Sequence, residues 1–186
     1  MRIDIKGSGA ACAVLLSGFL TATPGPATAR AAEGRPPSHC EIDTARAVAA
    51  QLERAPNGRF VPPNALSYDD GAEVITFRPS SCGAARRNME RDCDEDGILD
   101  NAVCLYDRRA FEGSRQAIKA TGTRKLNGTG IIMSIKNDRS FVFFVKRDPG
   151  ERGTCFAPGE GYGDASHVGE QRWVNAHPTQ RECHAL

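Results

Sequence analysis

The chain has 186 residues, of which 24 are basic, 23 are acidic and 40% are hydrophobic. This nearly balanced charge argues against electrostatic binding of nucleic acid or of an anionic membrane, because both draw on a concentrated basic surface. The hydrophobic content and the length suit a folded domain with its own core.

The first 32 residues have the organisation of a secretory signal peptide. Arg2 and Lys6 precede an apolar run from Ala10 to Ala22, and small-residue cleavage sites follow near residues 29–32. The run is shorter than the about 20 apolar residues of a membrane-spanning helix. We therefore expect a secreted, extracellular product without membrane insertion, about 150 residues long and with a formal charge near −1.

Six cysteines follow this leader, and disulfides are the expected state of an even number of cysteines in an exported protein. They are Cys40, Cys82, Cys93, Cys104, Cys155 and Cys183. Six cysteines allow 15 pairings. Two pairs are attractive: Cys93 with Cys104, which flank an acidic loop, and Cys40 with Cys183, which lie near the two ends.

Residues 33–80 predict a helix followed by a hairpin. The polar stretch at 33–39 is expected to be poorly ordered, so that order begins at Cys40. From Asp43 to Glu53 the apolar residues recur at helical spacing, with Asp43 as the N-cap and the sequence APNG at 55–58 as a stop signal.

The hairpin is predicted from Ala65 to Phe77. Its strands are Ala65–Tyr68 and Ala72–Phe77, joined by a turn whose aspartates and glycine supply the turn dihedrals. The helix is expected to pack on this hairpin.

Residues 81–186 are expected to form a disulfide-containing β-domain. The predicted strands are Val103–Tyr106, Ser114–Ala120, Gly130–Ile135, Ser140–Lys146 and Gly153–Phe156. Short strands about ten residues apart, without helices between them, predict an all-β sandwich or barrel. The sequence FVFFV at 141–145 is apolar on both faces, which favours a central strand over an exposed edge.

Two aromatic residues and a glycine stand out at the start of this region. Tyr106, Phe111 and Gly113 have the spacing of a hairpin that folds over its own sheet, where an aromatic ring covers the fold and glycine takes dihedrals that other residues avoid. The pattern resembles the Greek-key signature of the βγ-crystallins. The resemblance implies a mainly β, βγ-crystallin-like Greek-key sandwich.

The second part of that signature is an asparagine- or aspartate-rich turn, which corresponds here to Asn137 and Asp138. Phe141 and Val142 stand where the signature has two hydroxyl residues, unless a one-residue deletion lets Ser140 fill one place. In calcium-binding crystallins the hydroxyl helps to ligate the ion, so this departure weakens the calcium interpretation.

The wider layout is similar to a family of secreted actinobacterial proteins grouped with a metalloproteinase inhibitor. The similarity lies in Cys93, Cys104 and Tyr106 before the aromatic-glycine hairpin, and in the earlier stretch NALSYDDGAEVITF. It implies peptidase inhibition. No inhibitory residue can be carried over position by position, and fold similarity does not establish function.

The acidic stretch before Cys104 has the alternating carboxylates and the glycine of a calcium loop. The candidate ligands are Asp92, Asp94, Asp96, Ile98 and Asp100. Against calcium, Val103 occupies the twelfth position, which should supply a bidentate glutamate. Arg86, Arg87 and Arg91 could neutralise the acidic residues without a metal.

No residue is assigned a catalytic role. His167 and His177, with Ser166 and Asp164 nearby, include the residue types of a nucleophilic triad, but no nucleophile elbow accompanies them.

The sequence therefore favours a secreted, non-enzymatic protein that binds an extracellular protein and inhibits a secreted peptidase. A rigid loop supported by disulfides would carry the inhibition, because rigidity lowers the ordering cost of binding. The candidates are the loop from Cys93 to Cys104 and the stretch from Gly150 to Gly163, and the sequence does not choose between them. The alternative is a calcium-binding extracellular module with a structural role. Apart from calcium in that alternative, no cofactor is expected.

Overall fold

The computed structural model describes residues 36–83, 92–96, 98, 101–128, 130–180 and 182–183. The described part of the chain has one α-helix and eleven strands, which form two antiparallel sheets. The mainly β class expected from the sequence is confirmed. The predicted leader, residues 1–32, lies outside the described residues.

The helix α1 spans His39–Arg54. The strands are β1 (Arg59–Val61), β2 (Ala65–Tyr68), β3 (Glu73–Thr76), β4 (Val103–Tyr106), β5 (Arg115–Ile118), β6 (Gly122–Lys125), β7 (Ser134–Asn137), β8 (Phe143–Lys146), β9 (Thr154–Phe156), β10 (Gly161–Tyr162) and β11 (Trp173–Ala176).

The larger sheet has the order β1-β2-β3-β5-β4-β7-β10, and the smaller has the order β6-β11-β8-β9. Because β3 pairs with β5, the sheet continues across residue 80, where the sequence suggested a boundary between two regions. Strand β8 lies between β11 and β9. The central position predicted for the FVFFV segment is therefore confirmed.

The helix begins five residues before the expected position. Asp43 is not its N-cap; Ser38 is, since Glu41 N donates to Ser38 Oγ at 3.3 Å and Ser38 N donates to a Glu41 carboxylate oxygen at 2.6 Å. These reciprocal bonds satisfy two otherwise unpaired donors at the helix start. At the other end, Ala55 N donates to Gln51 O, which confirms the predicted stop.

The helix packs on the hairpin, as the sequence predicted. Ala47, Val48 and Leu52 of α1 contact a buried cluster on β2 and β3, whose larger members are Leu66, Tyr68, Ile75 and Phe77. A second core fills the space between the two sheets. It includes Val103, Leu105, Ile118 and Ile135 from the larger sheet and Phe143, Val145, Phe156 and Val174 from the smaller.

The disulfides are Cys40–Cys82, Cys93–Cys104 and Cys155–Cys183. The expected pairing of Cys93 with Cys104 is confirmed, and that of Cys40 with Cys183 is wrong. The first turn of α1 meets the chain where it leaves the hairpin, so Cys40 reaches Cys82. Cys183 instead follows β11 and pairs with Cys155 of β9, in the same sheet.

Four strands were not predicted, and one was misplaced. Strands β1 and β6 are largely exposed and β10 has only two residues, so these three lack the apolar alternation that marks a strand. Strand β11 alternates half-buried and buried residues and was missed. The strand predicted at Gly130–Ile135 lies instead at Ser134–Asn137, where it pairs with β4.

The stretch from Tyr106 to Gly113 forms an aromatic corner. The rings of Tyr106 and Phe111 meet edge to face with centroids 5.8 Å apart. Ala110 and Phe111 take positive φ values of 53° and 61°, and Gly113 takes 80°. A Cβ on Gly113 would lie only 1.9 Å from Asp107 Oδ1, so this position requires glycine on two counts.

Polar side chains of β7 hold this corner and a neighbouring turn. Ser134 Oγ accepts from Phe111 N at 2.9 Å and donates to Arg108 O at 2.6 Å. Asn137 is fully buried, and its amide donates to the carbonyls of Phe141, Phe156 and Ala157. The hydroxyl of Ser134 therefore contacts the backbone of the corner directly.

A buried carboxylate joins the two cores. Glu73 of β3 is 0% exposed and accepts from Asn127 N at 3.0 Å, Asn127 Nδ2 at 2.9 Å and Gln116 Nε2 at 2.6 Å. Gln51 of α1 donates to Asn127 O. Burial raises the pKa of Glu73 above its ordinary value, although these hydrogen bonds and Arg124 oppose the shift.

Gly113→Ala should destabilise the fold more than a glycine replacement that costs only dihedral strain. The matched control is Gly159→Ala, since Gly159 also has positive φ but a Cβ added there would meet no atom within 4 Å. We expect the control to lose about 1 kcal/mol of unfolding free energy and Gly113→Ala to lose at least about 1 kcal/mol more. Equal losses in chemical denaturation would contradict the described corner.

Glu73→Gln should remove a pH-dependent part of the unfolding free energy. Because the folded pKa is raised, the unfolded chain loses the Glu73 proton first as the pH rises above about 4.5. The wild-type stability should therefore fall, relative to the variant, between this pH and the folded pKa. Denaturation at a series of pH values measures the difference, with the exposed Glu53→Gln as the control, and a constant difference would refute the assignment.

Candidate functional site

The loop between Cys93 and Cys104, hereafter the disulfide loop, lies on the face of the larger sheet opposite the inter-sheet core. Side chains alternate along a strand, so Leu105 points into the inter-sheet core while Cys104 and Tyr106 point to the other face. There Cys93, Cys104 and Tyr106 form a buried cluster with Ala102 and Ala117. The loop therefore rests on a core of its own.

Hydrogen bonds fix the first residue of the disulfide loop from three directions. The carbonyl of Cys93 accepts from Tyr106 Oη at 3.2 Å and from an Arg115 guanidinium nitrogen at 2.8 Å. Its N–H donates to Asp138 Oδ2 at 2.5 Å. Arg115 is 7% exposed, so part of this support is shielded from water and is stronger than the same bonds would be on the surface.

Three of the candidate calcium ligands lie together. Carboxylate oxygens of Asp92, Asp94 and Asp96 are all within 4.8 Å of one another. Lys119, which follows β5, places its ammonium 2.7 Å from Asp94 Oδ2 and 2.5 Å from Asp96 Oδ2. The protein thus supplies a cation for this cluster.

The surroundings shift the pKa values of Asp94 and Asp96 in opposite directions. Burial raises the pKa of Asp94, which is only 9% exposed, against the opposing pull of Lys119. Burial also acts to raise the pKa of Asp96, but hydrogen bonds from Lys119, Ile98 N and Asn101 hold it below its ordinary value. Asp96 therefore organises the loop as an ionised acceptor.

The remaining candidate ligands do not extend the cluster. The N–H of Ile98 donates to Asp96, and its side chain is 60% exposed. Asp100 lies outside the described residues, as do Arg86, Arg87 and Arg91. Calcium takes six to eight oxygen ligands, and the described residues bring together three carboxylates with an ammonium already against two of them.

The cation beside the cluster was not predicted from the sequence. Lys119, just after β5, lies 23 residues beyond Asp96. Arg115, on β5, pairs with Glu95 at 3.2 Å. Only the pairing of β4 with β5 brings these side chains to the loop. A prediction that these two strands pair could have indicated both side chains.

The second candidate loop, from Gly150 to Gly163, contains two short strands that pair with the sheets. Its β9 pairs with β8, and its β10 pairs with β7. Tyr162 packs against Phe156 with ring centroids 5.0 Å apart. Residues 150–153 and 159–161 are nevertheless exposed, so this stretch also offers surface to a partner.

The residue types of a nucleophilic triad lie partly together. His167 shares the 3₁₀ turn of Ser166 and lies near Asp164, but within the described residues Ser166 hydrogen-bonds to Asp164 and Arg109 and not to a histidine. Ser166 donates from both N and Oγ to Asp164 Oδ1, at 3.1 Å and 2.6 Å, at the start of a 3₁₀ turn. His177 contacts Asn175 and the ring of Phe144. Within the described residues these contacts cap a turn and pack a strand end.

Comparisons with known protein families, with curated proteins and with solved structures found no match. The fold and the site define the class of protein: a mainly β protein with three disulfides. Disulfides of this number indicate an oxidising environment. No helix in the described part of the chain has the length and apolar character needed to cross a membrane.

Lys119→Met should destabilise the protein, because it leaves the carboxylates of Asp94 and Asp96 without their described counter-ion. Lys119 is partly exposed, so we expect a loss of about 1–3 kcal/mol of unfolding free energy, less than for a fully buried pair. Lys125→Met, at an exposed position of β6, is the control and should change little. The loss should diminish at low pH, where the carboxylates are protonated.

Millimolar calcium provides a second test of the role of Lys119, in this case on the wild type. If Lys119 is the cation that this cluster uses, calcium should leave the melting temperature of the wild type unchanged. A clear rise for the wild type, with heat in a calorimetric titration, would show that the loop takes the metal despite the lysine.

Proposed function

We propose that this chain is a secreted protein-binding domain that inhibits a peptidase by presenting the disulfide loop. The observation that supports the proposal most directly is the contrast within that loop. Its base is closed by a buried disulfide and fixed at Cys93, while Ile98 exposes 60% of its surface.

The fixed base of the disulfide loop would affect its affinity for a partner. A loop that is already ordered loses little conformational entropy on binding, so more of the contact energy appears as affinity. The bonds to Cys93 and the salt bridges of Lys119 hold Cys93, Asp94 and Asp96 in place before any partner arrives. A single apolar side chain on such a support can act as the anchor that fills a partner's pocket.

The chemistry of the loop suggests the kind of partner. Ile98 would enter an apolar specificity pocket of the peptidase. Around it, Glu95 and Asp96 remain exposed, so a pocket with a basic rim would be electrostatically complementary. The resemblance to secreted metalloproteinase inhibitors points to the same activity, and the proposal assigns the chain no catalysis of its own.

The alternative function is that of a calcium-binding extracellular module. The close approach of Asp92, Asp94 and Asp96 favours it, and so does the burial of both Asp94 oxygens, which have no hydrogen-bond donor with good geometry among the described residues. The position of Lys119 argues against it. The calcium titration of the wild type separates the two functions.

Inhibition assays test the proposal directly. The mature protein, with its disulfides intact, is assayed against thermolysin-like metallopeptidases and subtilisin-like serine peptidases. We expect inhibition of at least one class, and Ile98→Ala should weaken it about tenfold or more, as loss of a buried anchor does.

Ile131→Ala is the matched control, because Ile131 is equally exposed, at 57%, but lies outside the disulfide loop. It should inhibit as the wild type does. Absence of inhibition at micromolar protein would contradict the proposed activity. Equal effects of the two substitutions would show that the disulfide loop does not carry it.

A further inference from the structure

A groove of about 620 Å³ lies beside the helix, between α1, β1 and the end of β3. We call it the helix–hairpin groove. Its apolar lining comes mainly from Ala45, Val48, Ala49, Leu52, Phe60 and Phe77. It shares no lining residue with the disulfide loop.

The groove exists because the helix covers only part of the sheet. Phe60 is the register partner of Leu66, and Leu66 is the partner of Ile75, so the three side chains share one face. Helix α1 buries Leu66 and Ile75, at 0% and 5% exposure, but leaves Phe60 50% exposed on the edge strand. An apolar surface thus stays open at the sheet edge.

The polar side chains in the lining are largely committed to partners within the protein. Thr44 Oγ1 contacts Cys82 Sγ, and Asn64 Nδ2 donates to Phe77 O at 2.8 Å. The Glu41 carboxylate accepts from Ser38 in the capping box. An aliphatic chain carries no backbone groups that need hydrogen-bond partners, so it suits a lining whose polar side chains are already engaged.

Arg78 differs from the other polar residues of the lining. Its backbone N–H donates to Ser114 Oγ, but no ion pair joins its guanidinium to another residue in the described ranges. An unpaired guanidinium at an apolar surface is complementary to a carboxylate, with which it forms charge-assisted hydrogen bonds.

We propose that the helix–hairpin groove binds a long-chain aliphatic carboxylate, with the chain against Val48, Leu52 and Phe60 and the carboxylate at Arg78. The volume lies within the range of small-molecule sites, which are mostly apolar with a few polar groups that fix orientation. This ligand site is independent of the proposed inhibition.

The experiment is a titration of the mature, disulfide-bonded protein with dodecanoate below its micelle concentration, followed by ¹H–¹⁵N correlation spectra. Binding should shift the amides of residues along the groove saturably. Arg78→Gln should weaken the affinity about tenfold or more, the usual effect of losing a hydrogen bond to a charged group. Dodecanol, which lacks the charge, should bind the wild type more weakly by a similar factor.

Arg46→Gln is the matched control. Arg46 is an exposed arginine of helix α1 that pairs with Asp43 and does not line the groove. The variant should bind dodecanoate as the wild type does. No saturable shift, or equal affinities of the wild type for dodecanoate and dodecanol, would overturn the proposal. The dodecanol comparison uses the wild type, so the result stands even if Arg78→Gln folds poorly.

Discussion

The antiparallel pairing of β3 with β5 is the contact on which the rest of the structure depends. It joins the helix and hairpin to the strands that follow and so makes one seven-stranded sheet. The helix and the smaller sheet then cover neighbouring parts of the same face. Glu73 lies at this junction, and its hydrogen bonds to Gln116 and Asn127 satisfy a carboxylate that is costly to bury alone.

Strand β5 also links this core to the disulfide loop. Gln116 points toward the buried carboxylate, while Arg115, on the other face, bonds to the carbonyl of Cys93, and Lys119 follows as the cation beside the aspartates. One strand therefore supports the packing on one face and the candidate binding loop on the other. The start of the loop is held by the sheet as well as by the disulfide, since a disulfide alone closes a loop without orienting it.

Local patterns predicted much of the fold and less of the site. The strand at Val103–Tyr106 and the disulfide Cys93–Cys104 follow from alternation and from short separation along the chain. The N-cap was missed although Ser38 and Glu41 have the spacing of a capping box, because Asp43 offered a competing cap. Strand β6 could not be recognised, since its residues are mostly exposed and it becomes a strand only when a partner pairs with its backbone.

The amino-acid sequence was sufficient for the properties that depend on near neighbours: a mainly β chain, one helix on a hairpin, six paired cysteines and a glycine at position 113 where a side chain would collide. The long-range choices arose from packing. Cys40 pairs with Cys82, Lys119 neutralises the aspartates, and α1 leaves Phe60 uncovered because the helix packs on β2 and β3 and not on the edge strand β1. Such contacts join residues far apart in the chain, and no local pattern specifies them.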